Sequence, residues 1–148
     1  MSGTEDQKKA FLSQPKFAVV GASKDETKFG TKASLLLTPR VLKFYLENNK
    51  DVTPVHPKET EIQGVVAIRA LADLPDPTHT SVSVITGPKI TLGLLEQAKA
   101  LGIPSLWLQP GADDETIINF INENGLADKV IYGGPCVLRE GPELLAGL

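Results

Sequence analysis

The sequence predicts a doubly wound α/β fold, a Rossmann-like parallel sheet of about five strands in a three-layer α/β/α arrangement. Its predicted strands are short and largely apolar, and the first of them, Phe17–Val20, is a continuous apolar run, as in strands that are buried on both faces. Segments with helical spacing of apolar residues alternate with these runs, and several runs end in loops rich in glycine, serine or proline. This alternation favours a doubly wound sheet over a barrel or a helix bundle.

The N-terminal segment predicts a short helix. Thr4 and Gln7 have the spacing of a capping box, and the helix is expected to reach about Ser13 before Pro15 ends it. We therefore interpret residues 1–15 as a peripheral N-terminal helical arm. The rest of the chain, residues 16–148, is interpreted as one Rossmann-like domain.

The first half of this domain contains two predicted strands and one helix. Phe17–Val20 is a continuous apolar run, and Val52–Val55 is short, β-branched and bounded by proline, so both predict strands. A Thr-Pro pair, suited to an N-cap and a first helical position, predicts a helix over residues 39–47. Residues 57–77 contain apolar segments too short for a crossover helix, and we expect a small strand or turn and a helix of one to two turns.

In the second half of the domain, predicted strands and helices again alternate, and the ends of the helices are marked more clearly. Gly102 and Gly125 each follow a segment of helical periodicity, as expected of C-terminal helix caps. The predicted strands cover residues 81–86, 103–108 and 129–132, and the predicted helices cover residues 88–101 and 113–124.

Composition excludes several classes of protein. The 148 residues are 41% hydrophobic and carry a net charge of -3, with acidic and basic residues scattered, so one core is expected and no broad basic face for nucleic acid. No stretch has the pattern of a secretory signal or a membrane span, and we expect an intracellular, cytoplasmic protein without a membrane partner. One cysteine and two histidines are too few for a structural metal cluster.

The first strand ends in a loop suited to phosphate. Gly21, Ala22, Ser23 and Lys24 offer backbone N–H groups, a hydroxyl and an ammonium group beside a predicted helix N-terminus, and Lys28 adds a second ammonium group. The alternative is a glycine turn with solvated lysines, because a short glycine motif is weak by itself.

The second strand ends without the acidic residue that an NAD-binding domain presents to the adenosine ribose. The chain instead has Pro54, His56 and Lys58, a proline-flanked wall and a lysine that suit an adenine or a phosphorylated ribose. A rigid loop with one exposed lysine is the alternative. Two later strands also end in residues that allow close approach to the backbone, namely Gly87, Pro88, Gln109, Pro110 and Gly111.

These motifs, taken in order, closely resemble the stand-alone CoA-binding domain family, which is related to the N-terminal domain of the succinate–CoA ligase α subunit. The resemblance runs from about Lys16 to Val137. It is carried by Phe17-Ala-Val-Val-Gly-Ala-Ser23, Lys28-Phe-Gly30, Val52-Thr-Pro-Val-His-Pro-Lys58, Leu71-Ala-Asp-Leu-Pro75, Leu106-Trp-Leu-Gln-Pro-Gly111 and the late Cys136.

The resemblance implies coenzyme A, or an acyl-CoA, as the cofactor, with a role for each loop. The first loop, from Gly21 to Lys24 together with Lys28, would hold phosphate. Pro54, His56 and Lys58 would line the adenosine end. Gly87 and Pro88 would form the wall beside the nucleotide, while Gln109, Pro110 and Gly111 would border the pantetheine arm.

We expect binding without catalysis. The ligase uses a second domain with a phosphorylated histidine and a partner subunit, and this sequence contains neither that domain nor a recognisable nucleophile elbow or acid/base pair. Two alternatives remain open at this point: an NAD(P)-binding oxidoreductase-like domain, and an interaction protein with a vestigial nucleotide pocket.

Cys136 follows a Gly-Gly-Pro sequence at the end of the last predicted strand. One interpretation is a small buried hydrophobic residue. The other is a thiol partner for the free thiol of CoA, able to form a mixed disulfide under oxidation.

Overall fold

The computed structural model describes residues 5–20, 40–56, 61–62, 64–86, 88–109, 112–132 and 137–146, without the side chains of Ile62, Pro88, Ala146 and residues 138–140. The helices are α1 (Glu5–Leu12), α2 (40–47), α3 (Pro88–Leu101), α4 (Glu115–Glu123) and α5 (Val137–Ala146). The strands are β1 (Lys16–Val20), β2 (Asp51–Val55), β3 (Glu61–Ile62), β4 (Val65–Val66), β5 (Thr80–Val84), β6 (Ser105–Leu108) and β7 (Val130–Ile131).

The main sheet has five strands in the order β2-β1-β5-β6-β7, and each neighbouring pair is parallel. Strand β1 lies between β2 and β5, so the chain builds the sheet first to one side of β1 and then to the other. This is the doubly wound order in which ligands bind where the direction of winding changes. The predicted Rossmann-like parallel sheet is therefore confirmed.

Helices cover both faces of this sheet. Val20, Val84 and Leu108 pack on one face in a buried cluster that includes Leu95 of α3 and Ile117 of α4. The other face forms a second buried cluster with α1, α2 and α5, whose members include Phe11, Phe17, Tyr45, Trp107 and Val137. Because the strands are covered on both sides, their largely apolar composition follows directly.

Two serines of β5 also face the second cluster. Ser83 Oγ lies 2.6 Å from the Tyr45 hydroxyl, and Ser81 Oγ donates to the Phe11 carbonyl at 2.6 Å. Both serines are fully buried. Their hydroxyl groups therefore exchange water for protein partners, which is what allows polar residues in a strand that is buried on both faces.

The N-terminal helix is not peripheral, which corrects the expectation from the sequence. Phe11 and Leu12 are 0% and 1% exposed, and the Phe11 ring meets the Trp107 ring edge to face at 5.4 Å. The Gln7 side chain, expected in a capping box, donates from Nε2 to the Ala127 carbonyl at 2.7 Å. Helix α1 thus belongs to the layer that covers the second face of the sheet.

The predicted helix ends agree with the structure to within two residues. Gly102 and Gly125 have φ of 74° and 66°, the left-handed conformation that favours glycine after a helix. Asp114 caps α4 by accepting a hydrogen bond from the Ile117 N–H at 3.0 Å, so this helix begins later than the predicted residue 113. No described helix combines the length and the apolar character needed to cross a membrane.

The stretch between β2 and β5 is irregular, as predicted. Strands β3 and β4 form an antiparallel pair, and two 3-10 helices follow at Leu71–Asp73 and Pro77–His79. Helix α5 was not expected, because Gly141 and Pro142 interrupt its sequence. It forms where an apolar stripe at helical spacing, starting with Val137 and continuing at Leu144 and Leu145, packs on the second cluster.

Candidate functional site

The carboxyl ends of four strands lie in one row of the main sheet. Their last residues are paired in register as Val55, Val20, Val84 and Leu108. The next residues are His56, Ile85 and Gln109, and we call these three the carboxyl edge. Ile85 N–H donates to the Val20 carbonyl at 2.9 Å and Gln109 N–H donates to the Val84 carbonyl at 3.0 Å. Backbone pairing therefore extends one residue beyond the strands and holds this edge in place.

The Pro54–His56 end of the edge is fixed by its backbone. His56 N–H donates to the Ile68 carbonyl at 2.8 Å, and Ile68 N–H donates to the Pro54 carbonyl at 3.0 Å. His56 is only 7% exposed. A parallel bridge between Val55 and Ile68, which the sequence did not indicate, therefore holds this end of the edge in place.

A pair of buried hydroxyl groups lies between the edge and helix α3. Thr86 Oγ1 is 2.8 Å from Thr91 Oγ1, and the two residues are 2% and 0% exposed. This pair joins the end of β5 to the first turn of the helix that Pro88 opens. The predicted helix start at Pro88 is confirmed.

Gln109 lies at the other end of the edge and is fully buried. Its side-chain Oε1 accepts a hydrogen bond from the Val137 N–H at 3.1 Å, at the first residue of α5. Its backbone carbonyl accepts from the Ala112 N–H at 3.0 Å. The side-chain Nε2, by contrast, has no hydrogen-bond partner within the part of the chain that the structure describes.

The two ends of the edge are well separated. Strands β1 and β5 lie between β2 and β6, and three strand spacings amount to roughly 14 Å. Of the residues predicted to bind the cofactor, Pro54, His56, Pro88 and Gln109 are described, and Pro88 only through its backbone. The structure brings these four to the same edge, with the first two and Gln109 at opposite ends of it.

The other predicted site residues lie outside the described ranges, so their predicted roles remain predictions. They are Gly21, Ala22, Ser23, Lys24, Lys28, Lys58, Gly87, Pro110, Gly111 and Cys136.

The opposite edge of the sheet has a different character. His79 Nδ1 lies 2.9 Å from Asp76 Oδ1 just before β5 begins, and both side chains are more than a third exposed. The hydrogen bond to His79 lowers the pKa of Asp76 below its ordinary value. His79 is therefore a surface residue just before the amino end of β5. Among the residues whose positions are described, no group of three His, Cys, Asp or Glu side chains is placed to hold a metal ion.

Solved structures share this fold. A conserved hypothetical protein from Pyrococcus furiosus is 32% identical, with a TM-score of 0.64 over 84% of this chain and 97% of that chain. A hypothetical protein from Pyrococcus horikoshii is 28% identical, with a TM-score of 0.74 over 97% and 93%. A Thermus thermophilus protein is 26% identical, with a TM-score of 0.69 over 96% and 99%. The chain thus aligns with nearly the full length of each of these proteins.

The sequence also matches a protein family directly. Residues 15–142 match the family described as CoA binding domain, which covers β1 to β7 and more than half of α5. This range contains every strand whose end forms the carboxyl edge. The chain therefore belongs to the CoA binding domain family.

Proposed function

We propose that this protein binds coenzyme A, or an acyl-CoA, at the carboxyl edge of its sheet through the phosphates and the adenosine, without catalysing a reaction of its own. The observation that carries the proposal is the family match over residues 15–142. The geometry supports it, because the edge lies where the winding direction of the sheet reverses, between β1 and β5.

The separation of the two ends of the edge suits an elongated ligand. Pro54 and His56 would border the adenosine, and Gln109 would border the pantetheine arm, roughly 14 Å away by three strand spacings. The loop from Gly21 to Lys24 follows β1, which is between them in the sheet order, so it would hold the pyrophosphate by backbone N–H groups and ammonium groups. The ammonium groups of Lys28 and Lys58 would place further positive charge beside the phosphates.

The remaining predicted residues would complete the path. Gly87 and Pro88 would form the wall beside the nucleotide, and Pro110 and Gly111 would follow the arm beyond Gln109. A hydrogen-bond donor at this end would suit the pantetheine arm, which contains two amide carbonyls. Gln109 Nε2 is such a donor, because it is buried without a partner among the described residues. The residues described at the edge are therefore compatible with CoA.

A thermal-shift comparison tests the proposal against a dinucleotide ligand. A ligand at one hundred times its dissociation constant stabilises the folded state by about 2.7 kcal/mol. For a chain of this size, we expect CoA and acetyl-CoA to raise the melting temperature by about 5–10 °C. NAD and NADP should give no comparable shift. Stabilisation by NAD or NADP alone would instead identify a dinucleotide-binding domain. No shift with any of the four ligands would contradict the proposal and favour an interaction protein with a vestigial pocket.

Two variants link the thermal shift to the proposed edge. Gly21→Val should abolish the CoA shift while circular dichroism shows an intact fold, because a side chain would keep the backbone from the pyrophosphate. His79→Ala, at the opposite edge, should leave the shift unchanged. Normal CoA binding by folded Gly21→Val would contradict the proposed phosphate loop.

A further inference from the structure

Helix α4 ends in a turn that contains the sequence Asn124-Gly125. Gly125 has a φ of 66°, and its N–H donates to the Asn122 carbonyl at 3.4 Å. The Leu126 N–H donates to the Ile121 carbonyl at 2.9 Å, and both of these side chains lie in the same buried cluster. A left-handed glycine with this pair of hydrogen bonds is a Schellman motif, so the turn ties the end of α4 to the core.

Asn-Gly is also the dipeptide in which an asparagine side chain reacts most readily with the backbone, because glycine has no side chain to block the attack. The backbone nitrogen of the following residue bonds to the side-chain Cγ and displaces ammonia, and water opens the resulting succinimide ring. Gly125 is exposed, and a β-carbon there would meet no atom of the described residues within 4 Å. The other asparagines of the chain precede larger residues, and they are Asn48, Asn49, Asn119 and Asn122.

Two hydrogen bonds hold the Asn124 side chain away from this reaction. Its Nδ2 donates to the Phe120 carbonyl at 2.9 Å. Its Oδ1 accepts from the ammonium group of Lys99, in the last turn of α3, at 3.0 Å. Because Cγ must approach the Gly125 nitrogen, the side chain has to leave both partners first. The contact with Lys99 joins two helices and is the restraint that a substitution can remove.

We propose that Asn124 is a modification site at which the folded protein deamidates, and that Lys99 slows the reaction by holding the side-chain amide. The Gly125 nitrogen gives up its proton and bonds to Cγ, and Nδ2 leaves with that proton as ammonia. Water then adds across a C–N bond of the ring and yields aspartate or isoaspartate. The reaction needs no other reagent and does not depend on CoA.

The two products should affect the turn differently. Isoaspartate inserts a methylene group into the backbone before Leu126, so the hydrogen bond to the Ile121 carbonyl cannot keep its geometry. Aspartate leaves the backbone unchanged and keeps an oxygen for Lys99, although it loses the donor to Phe120. The isoaspartate form should therefore unfold at a lower urea concentration than the unmodified protein.

Peptide mapping by mass spectrometry, after incubation at mildly alkaline pH, tests the site. The folded protein should accumulate aspartate and isoaspartate at Asn124 before any other asparagine is converted. Protein unfolded in urea should react faster at Asn124, because neither hydrogen bond remains there. Conversion of Asn124 in urea but not in the folded protein would overturn the proposal, and so would earlier conversion of another asparagine in the folded protein.

Three substitutions test the role of Lys99. Lys99→Met keeps the length of the side chain without a donor, and it should deamidate about threefold to tenfold faster, as expected for the loss of one hydrogen bond. Lys99→Arg keeps a charged donor and should react at the wild-type rate. Lys43→Met removes an exposed lysine of α2 that pairs with Glu47, and it should also leave the rate unchanged. A rate in Lys99→Met that is equal to or below that of wild type would overturn the protection by Lys99.

Discussion

The ring of Phe44 in α2 occupies the space that a side chain at Gly141 in α5 would need. A methyl group added to Gly141 would lie 2.6 Å from Phe44 Cζ, closer than carbon atoms approach without a clash. Phe44 is 8% exposed, and its ring meets Tyr45 edge to face at 5.4 Å. The glycine therefore allows α5 to lie close against α2, and α5 begins at Val137, which holds the Gln109 side chain.

Gly141→Ala is expected to destabilise the protein. The clash with Phe44 should lower the free energy of unfolding by about 1–3 kcal/mol through overpacking. The better helix propensity of alanine should offset about 1 kcal/mol of this loss. We expect a net loss of about 1 kcal/mol in the free energy of unfolding, measured by urea denaturation.

Gly93→Ala in α3 is the matched control. A methyl group at Gly93 meets no atom within 4 Å, so only the propensity gain remains. This variant should be about 0.5–1 kcal/mol more stable than wild type. If both substitutions stabilise the protein equally, the close approach of α5 to α2 is wrong.

Phe11→Ala is expected to show that α1 is part of the core. Phe11 is fully buried against Trp107 and Phe17, and removal of such a ring costs about 3–5 kcal/mol. Urea denaturation measures this loss. Lys9→Ala on the same helix removes only an exposed ion pair with Glu5 and should change the stability by less than about 0.5 kcal/mol. An equally small loss of stability for Phe11→Ala would contradict the assignment of α1 to the core.

The strands of the sheet were predictable because most of their residues are buried. Short runs rich in apolar and β-branched residues therefore stand out from the helices around them, and Gly102 and Gly125 mark helix ends through a conformation that other residues avoid. Helix α5 was not predictable, because Gly141 and Pro142 oppose a helix locally. Its stability comes from packing against α1 and α2, which only the folded structure brings together.

The positions of His56 and Gln109 at the carboxyl ends of strands were predictable, whereas the contacts of their side chains were not. Parallel strands place their carboxyl ends at one edge, so His56 and Gln109 were expected there, and both are found in the same row. The sequence could not show that Gln109 is fully buried, or that its Oε1 accepts from Val137 while Nε2 has no partner among the described residues. These properties depend on residues 28 positions apart in the chain.

The pKa of Asp76 is expected to depend on His79. The hydrogen bond from His79, assisted by its charge and by the Thr78 hydroxyl, holds the pKa of this carboxyl below 3.8. A lowered carboxyl pKa means that the contribution to stability is present above about pH 3.8 and is lost as the pH falls through the value in the folded protein. Carbon NMR titration should show the pKa of Asp76 rising in His79→Ala.

Thr78→Val is the comparison for this titration. The Thr78 hydroxyl lies 3.3 Å from Asp76 Oδ1 and contributes less than His79, so this substitution should raise the pKa by a smaller amount. A pKa of Asp76 that is the same in wild type and His79→Ala would contradict the pairing.

The proposed phosphate contacts predict that CoA binds more tightly than dephospho-CoA and that added salt weakens binding. A charge-assisted contact contributes about 1.5–3 kcal/mol when it is partly desolvated, and much less in water. Replacement of Lys28 and Lys58 by alanine should therefore reduce the affinity for CoA in calorimetry, and Lys24→Ala should act in the same direction.

Lys99→Ala controls for the loss of charge alone. Lys99 lies in the last turn of α3, and its ammonium group donates to Asn124 Oδ1 at 3.0 Å, away from the carboxyl edge. This variant should bind CoA as wild type does, because a distant exposed charge is screened by salt. An unchanged affinity after both Lys28 and Lys58 are replaced would contradict the proposed phosphate contacts.

An NMR titration of the nitrogen-15-labelled protein with CoA tests whether CoA binds at the carboxyl edge, because it reports both binding and its location. CoA bound at this edge should cause saturable shifts that are largest at the backbone amides of His56, Ile85, Thr86 and Gln109. The amides of Thr80 and Ser105, at the amino ends of β5 and β6, should change little. Shifts centred on Thr80 and Ser105, or no saturable shifts at millimolar CoA, would contradict CoA binding at the carboxyl edge.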